Sequence, residues 1–218
     1  RSSPRATTTE IDTCRPCHSR RSQIAEGHIA GRPVTDSYRP AVLAPGLYEV
    51  DGQQRDEVYT DGSFAQSRMA HAGVTCADCH DPHTGRTRLD GNLLCGTCHP
   101  VARYDAPSHT FHRTGGDGAR CVSCHMPART YMEVDRRRDH SIRVPRPDES
   151  VALGTPNACT GCHSTRSAAW AAERVRAWYG HDGNGFQRFA SAFHDADAGV
   201  RTSSAALAAL AADATAPA

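Results

Sequence analysis

The stretch CADCHDPHTGRTRLDGNLLCGTCH, residues 76–99, contains one short pattern twice: a cysteine, two variable residues, a second cysteine and a histidine. The pattern occurs five times in the chain and uses all ten cysteines. The five copies, numbered one to five in chain order, are Cys14, Cys17 and His18; Cys76, Cys79 and His80; Cys95, Cys98 and His99; Cys121, Cys124 and His125; and Cys159, Cys162 and His163. Because no cysteine is left over, this repeat governs the fold.

The pattern is typical of covalently attached c-type haem. Two thiols three positions apart on one tight turn can reach the two vinyl edges of a porphyrin, while the adjacent histidine turns onto the iron. The motifs therefore predict five covalently bound haem c groups. The ten cysteines would attach them, and the five motif histidines would bind the irons.

Three other uses of paired cysteines fit less well. A zinc ribbon takes its cysteine pairs two at a time and does not require a histidine after every second cysteine. A disulfide framework does not explain why the spacing is identical within every pair and irregular between pairs. Thioredoxin-like redox chemistry uses one such pair in an alternating α/β setting, which this sequence lacks.

The composition indicates how such a chain would fold. Of 218 residues only 38% are apolar, and 18 glycines and 13 prolines interrupt regular structure. Since large aliphatic residues are too few for an ordinary core of this size, the porphyrins would supply much of it. The predicted fold is a multihaem cytochrome c: mostly irregular coil with short α-helices around five haems, one small β-hairpin and an α-helical C-terminal tail.

We expect a pentahaem domain over residues 1–164 and a helical tail over residues 165–218 that begins an α-repeat region. The hairpin is predicted near residues 47–60, where Asp51 and Gly52 provide a turn signal. A helical segment is predicted from Ser63 to Gly73, and the proline-rich stretch around residues 145–156 should run extended. Three tail helices are predicted from their capping residues: Ser167–Tyr179 before Gly180, Asn184–Phe193, and Ser203 or Ser204 to Ala212.

Eight histidines lie outside the motifs, and five of them are predicted to bind the second face of an iron. These are His28, His83, His109, His112 and His140. His83 follows its own motif too closely to reach its own haem and would serve a neighbouring one. His109 and His112 are spaced so that a helical turn would present both in one direction. His71 and the methionines Met69, Met126 and Met132 remain alternatives.

Every basic residue is an arginine, since the sequence has no lysine. The formal net charge of +1 becomes clearly negative once ten haem propionates are added, which argues against nucleic-acid binding. The chain has no apolar run long enough to cross a membrane. Because c-type haem is attached outside the cytoplasm, we expect a periplasmic or extracellular protein whose signal peptide lies upstream of Arg1.

The runs QSRMAHAGVTCADCHDPH (66–83), CVSCHMPARTYMEVDRRRDHSIRVPRPD (121–148) and LGTPNACTGCH (153–163) resemble the large multihaem c-type cytochromes that continue into tetratricopeptide-type repeats. The resemblance implies an exported bis-histidine electron carrier, with His83, His112 and His140 at positions where that family carries histidines. Such relatives have further haem-binding sequence before the region that matches Cys14 and a longer repeat region after Ala218. The chain is thus expected to match the central, haem-rich part of such a protein.

Two functions follow from these features. The first is electron transfer along closely spaced bis-histidine haems, with redox proteins or further copies of the chain as partners, in the extended case as an extracellular filament. The second is a multihaem oxidoreductase in which one open haem converts a small nitrogen compound. The lysine-ligated haem of pentahaem nitrite reductases is excluded, because the chain contains no lysine.

Overall fold

The structure, a computed structural model, describes residues 8–213. Within this range short helices alternate with irregular segments, and strands are few. The helices are α1 Thr9–His18, α2 Asp61–Ala65, α3 Arg68–His71, α4 Cys76–Cys79, α5 Asn92–Gly96, α6 Val101–Tyr104, α7 Pro107–Thr110, α8 Cys121–His125, α9 Pro147–Leu153, α10 Ala158–Cys162, α11 Ala168–Tyr179, α12 Ala190–Asp197 and α13 Ser203–Ala212. The strands are β1 Arg21–Gln23, β2 Tyr38–Pro40, β3 Ala128–Tyr131 and β4 Asp135–Arg138, and 3-10 turns occupy Val34–Asp36 and Asp117–Ala119.

Each cysteine motif lies on a helical turn. Motifs one, two, four and five lie at the end of α1, on α4, on α8 and at the end of α10, whereas motif three begins in the last turn of α5 and continues through the turn after Gly96. Residues three apart on a helix share one face, so each turn presents both of its thiols on the same side. The backbone N–H of the motif histidine closes the turn on the carbonyl of the first cysteine, as His80 does on Cys76 at 2.8 Å.

Two antiparallel sheets of two strands each were not predicted. Strand β1 pairs with β2, Arg21 opposite Pro40, and β3 pairs with β4, Ala128 opposite Arg138. The β3–β4 turn places Met132 and Glu133 at φ of 51° and 66°. Two consecutive positive φ angles match the twist of a hairpin and usually require glycine or asparagine. Because this turn contains neither residue, it carries no recognisable turn signal.

The hairpin predicted near residues 47–60 is not a pair of strands. The chain does reverse there, since Gly52 donates a backbone hydrogen bond to Glu49 and Glu49 donates one to Gln53. However, the two arms form an isolated bridge between Tyr48 and Gln54 and not a pair of strands, and the Arg55 and Asp56 N–H groups donate to the Leu47 carbonyl. Side chains also hold the segment, because Gln66 donates hydrogen bonds to the carbonyls of Gly52 and Gly62.

The stretch around residues 145–156 is also not extended throughout, as it contains α9. Pro147 occupies the first turn of this helix, where proline lacks only an N–H that would have no helical partner. Gly154 ends the helix in the left-handed conformation. Pro147 is fully buried, so the segment packs inward rather than crossing the surface.

The helical tail follows its capping signals closely at two of three helices. Helix α11 begins after Ser167, whose side chain accepts a hydrogen bond from the Trp170 N–H, and it ends at the left-handed Gly180. Helix α13 covers the predicted residues, whereas α12 begins at Ala190, six residues after Asn184. The domain boundary at residue 164 stays a prediction, and the predicted domain ends at residues 1–7 and 214–218 lie outside the described residues.

The interior of the described chain holds more polar and charged side chains than apolar ones. One buried ion pair joins Arg143 to Asp51 at 3.0 Å, and the same guanidinium donates to the Asp51 carbonyl and to the Ser141 hydroxyl. The apolar part of the interior is small, centred on Ala171, Ala172 and Val175 of α11 where it meets α9. Between Thr8 and Asp213 no helix is both long and apolar enough to cross a membrane.

Candidate haem-binding sites

The first three cysteine motifs lie next to one another in the order in which they occur in the sequence. Helix α1 lies against α4, and the Cys14 and Cys76 thiols share a hydrogen bond. Burial raises the pKa of Cys76 to about 12, and the nearby Cys14 adds to the rise. Burial also raises the pKa of Cys79, to which Asp78, Cys95 and Cys98 contribute. Motif one is therefore next to motif two, and motif two is next to motif three.

The same order continues to the other end. Helix α5 lies against α8, and the Cys95 and Cys121 thiols share a hydrogen bond. Helix α8 in turn lies against α10. Burial raises the pKa of Cys124, and the nearby Cys162 adds to the rise. Burial likewise raises the pKa of Cys159, and the nearby Cys124 adds to that rise. The five attachment turns thus form one row, numbered as in the sequence. None of the ten cysteines forms a disulfide.

Three motif histidines each face a histidine from elsewhere in the chain. The ring centres of His80 and His140 are 6.4 Å apart, those of His125 and His109 are 6.1 Å apart, and those of His163 and His112 are 6.1 Å apart. Two imidazoles that bind one metal through nitrogens about 2 Å away, with each ring centre roughly 1 Å behind its nitrogen, have centres about 6 Å apart. All three spacings match an iron held between the two rings.

One histidine of each pair is oriented by a backbone carbonyl. The Nδ1 atoms of His112, His125 and His140 lie 2.5, 2.8 and 3.0 Å from the carbonyl oxygens of Thr110, Arg143 and Arg138. A proton on Nδ1 donates to that carbonyl and leaves Nε2 free as a lone-pair donor, which is the usual arrangement around a metal-bound imidazole. The exposed His181 makes a similar bond to Asp182, so the bond supports metal binding only where a second ring also faces the histidine.

Burial also favours the neutral, metal-binding form of two of these rings, His125 and His140. It lowers the pKa of His125, partly offset by the hydrogen bond to Arg143. It likewise lowers the pKa of His140, where the hydrogen bond to Arg138 and the charge of Asp139 oppose the shift while His80 and His18 add to it. A neutral imidazole is required for metal binding, so burial keeps both side chains in the form that binds a metal.

The prediction that His109 and His112 point in one direction is wrong. Helix α7 ends at Thr110, and Phe111 adopts the left-handed conformation at φ 52°. This reversal separates the two histidines, so His109 faces His125 while His112 faces His163. The sequence HTFH thus places its two histidines against two different motif histidines, which requires an unfavourable backbone conformation at a bulky residue.

Gly118 provides the space for the His112 ring. A Cβ atom at this glycine would lie 2.3 Å from Cδ2 of His112 and 2.6 Å from its Cγ. Contacts this short do not occur between real side chains, so any larger residue would displace the imidazole. The small residue is required by the position of the candidate ligand and not by backbone conformation, since Gly118 has an ordinary φ.

The structure does not place the other two predicted ligands against a motif histidine. His28 packs on Tyr38, with ring centres 5.3 Å apart, and both of its ring nitrogens are buried without a hydrogen-bond partner. His83 is exposed in the loop after motif two, where its backbone N–H is held by Asp81. Within residues 8–213 no second histidine ring faces His18 or His99. The alternative His71 packs edge-on against Phe186.

Residues that the sequence analysis missed surround the histidine pairs. Tyr104 stands edge-on between His99 and His109, with ring centres 5.8 and 5.3 Å away. Trp170 contacts His163, and Trp178 contacts His112. The only available signal was that both tryptophans of the chain follow the last motif on one predicted helix.

Taken together, the donor set fits haem c. Each turn presents two thiols and a histidine, three second histidines stand at the spacing of a shared iron, and the buried nitrogens of His28 have no partner in the protein. Apolar side chains around motif three are exposed to an extent unusual for such residues, Leu93 at 67% and Val101 at 51%, and provide surface for a porphyrin to cover. By contrast, no cluster of three or more metal-binding side chains occurs between residues 8 and 213.

Residues 49–142 match the class III cytochrome c family. This span contains motifs two, three and four. Its match includes His83, His109, His112 and His140. The helical-repeat part of the predicted resemblance stays a prediction, because the family match ends before the tail.

The fold is similar to that of the outer cell wall cytochrome OcwA, known from a crystal structure. The likeness covers 87% of this chain at a TM-score of 0.55 with 17% sequence identity, so it shows a similar fold alone. The chain spans about half of that structure, 55% of its length. A search of curated proteins found no match.

Proposed function

We propose that this cytochrome carries five haems in chain order and transfers single electrons along them. The observation that supports this most strongly is the row of contacts between successive cysteine motifs. When bound, haem iron supplies reversible one-electron redox chemistry, and its potential depends on its axial ligands and on burial. The protein's part is to attach the groups side by side and to hold both axial ligands in place.

We assign the axial ligands as follows. His80 and His140 close the second haem, His125 and His109 the fourth, and His163 and His112 the fifth. His28 is proposed for the first haem, because its buried ring nitrogens need a partner. In the sequence it is also the histidine that lies between motif one and β2. His83 is proposed for the third haem, because it follows motif two, and Cys79 lies beside Cys95 and Cys98.

Spectra of the ferric holoprotein test this proposal. Iron with two histidines is low-spin, so all five haems should give low-spin signals and none should change when cyanide or nitrite is added. Intact-protein mass spectrometry should find five attached haems. A high-spin component in the unmodified protein would contradict the fully closed arrangement.

One observation favours a second function, the reduction or oxidation of a small nitrogen compound at an open haem. His99 has Tyr104 against it rather than a second histidine, and His83 is exposed. The two functions therefore differ at the third haem. If His83→Ala converts one haem from low-spin to high-spin, the electron carrier is supported. If the unmodified protein already binds nitrite at one haem and His83→Ala changes nothing, the enzyme is supported.

We also propose that electrons enter and leave at the ends of the row. Cys17 in motif one and Cys162 in motif five are exposed, as is Cys98 in motif three, so the attachment sites at both ends are accessible to a partner. The partner is a redox protein or another copy of this chain, in the second case forming an extracellular filament. Cryo-electron images of the exported holoprotein distinguish them: end-to-end polymers support the filament, and isolated monomers contradict it.

A further inference from the structure

Three aromatic residues of α11 each contact a candidate axial histidine. Trp170 lies 5.1 Å from His163, as measured between ring centres. Trp178 lies 6.1 Å from His112, and Tyr179 lies 6.2 Å from His109. The helix thus reaches one of the two rings proposed for the fourth haem and both rings proposed for the fifth. A helix that served only as the start of a separate tail would have no reason to place its largest residues there.

Two of these residues also hold the chain reversal at Phe111. The Phe111 ring stacks on Trp178 at 4.8 Å with an angle of 1° between the planes, and it meets Tyr179 edge-on at 5.4 Å. The left-handed conformation is unfavourable for phenylalanine, so it persists only where the surroundings enforce it. The stack with Trp178 and the edge contact with Tyr179 are the enforcing contacts.

A hydrogen bond also holds the His109 end of the same turn. The Tyr179 hydroxyl donates to the carbonyl oxygen of His109 at 2.5 Å. Helix α11 is itself well anchored, because Ala171, Ala172 and Val175 are buried and both helix ends are capped. The rigid part of the structure is therefore α11, and the segment that it restrains is the turn between His109 and His112.

We propose that Trp178 and Tyr179 are positioning residues that hold Phe111 reversed, so that His109 and His112 remain on two different irons. This inference rests on the proposed bis-histidine ligation of the fourth and fifth haems. Neither aromatic residue touches iron in this arrangement. They act through the Phe111 turn. Without them the loop would relax toward a conformation in which His109 and His112 no longer point toward two different irons.

Trp178→Leu in the full-length holoprotein tests the proposal. The unmodified protein should be entirely low-spin at haems four and five and should not react with cyanide. The variant should show a high-spin ferric signal from up to two of the five haems, and cyanide should bind those haems. Trp178→Phe retains an aromatic ring for stacking and should restore the low-spin spectrum.

Arg176→Leu is the matched control, because it changes an exposed side chain of the same helix that pairs with Asp182. It should leave the spectrum low-spin. If Trp178→Leu does not assemble, Phe111→Leu provides the same test, since it removes the stack without altering α11. In the His109→Ala/His112→Ala double variant, Trp178→Leu should add no high-spin signal, because coupled residues do not act additively.

The outcomes separate the two proposals. High-spin haems four and five in the unmodified protein would refute the ligand assignment itself. A low-spin unmodified protein whose Trp178→Leu and Phe111→Leu variants are equally low-spin and inert to cyanide would refute the positioning role alone. An Arg176→Leu variant with the same high-spin signal as Trp178→Leu would also refute it, because the effect would then be general loosening of the helix.

Discussion

Gly118→Ala should detach His112 from the fifth haem while leaving the fold intact. The added Cβ would lie 2.3 Å from Cδ2 of His112, whereas carbon atoms in contact need about 3.5 Å. The ring must therefore move by on the order of 1 Å or more. An unbound imidazole can make that shift at little cost, but an iron bond of about 2 Å cannot stretch to follow it. One haem of five should become high-spin.

Absorption and electron paramagnetic resonance spectra of the ferric holoprotein measure this change. The high-spin signal should correspond to about one fifth of the haem, because one of the five motifs is affected. Gly161→Ala is the control: it adds the same methyl group inside motif five, where nothing lies within 4 Å of the new atom. If Gly118→Ala stays fully low-spin with five haems attached, His112 is not the ligand at the position proposed.

Three other perturbations test separate parts of the account. His140→Ala should make one haem high-spin, whereas His181→Ala, at an exposed ring with a similar carbonyl bond, should change nothing in the spectrum; equal spectra for the two would contradict the assignment. Cys121→Ala with Cys124→Ala should lower the mass of the intact protein by one haem beyond the sulfur atoms, and an unchanged haem content would mean that motif four attaches none. Asp51→Asn leaves the buried Arg143 without its anionic partner and should destabilise the protein by about 3 kcal/mol or more in urea unfolding. Asp56→Asn, at the exposed pair with Arg20, is the control and should leave the unfolding midpoint unchanged. Similar midpoints for both variants would show that the buried pair is not needed for stability.

The parts of the fold that depend on local chemistry were predictable. Ser167 and Gly180 mark the ends of α11 because a hydroxyl cap and a left-handed glycine are strong local signals. The turns at the cysteine motifs follow from the spacing of their thiols. The family match over residues 49–142 supports the prediction of a multihaem cytochrome c, while the number of haems and the identity of the distal ligands remain predictions.

The features that were missed depend on contacts distant in sequence. Nothing near Phe111 indicates a left-handed residue, because the aromatic contacts that hold it come from α11 about 70 residues later, as the Tyr179 bond to His109 shows. The β3–β4 hairpin was missed for a related reason, since Met132 and Glu133 occupy a turn that usually contains glycine. Conversely, Asp51 and Gly52 form the predicted turn, but side-chain bonds replace the ladder that would have made it a hairpin.

The ligand pairing is tested most directly by a structure of the haem-loaded protein in which the axial bonds are visible. We expect irons between His80 and His140, between His125 and His109 and between His163 and His112, with the five haems ordered as their motifs are in the sequence. Irons bound to other side chains at these positions, or motifs separated out of chain order, would contradict the account.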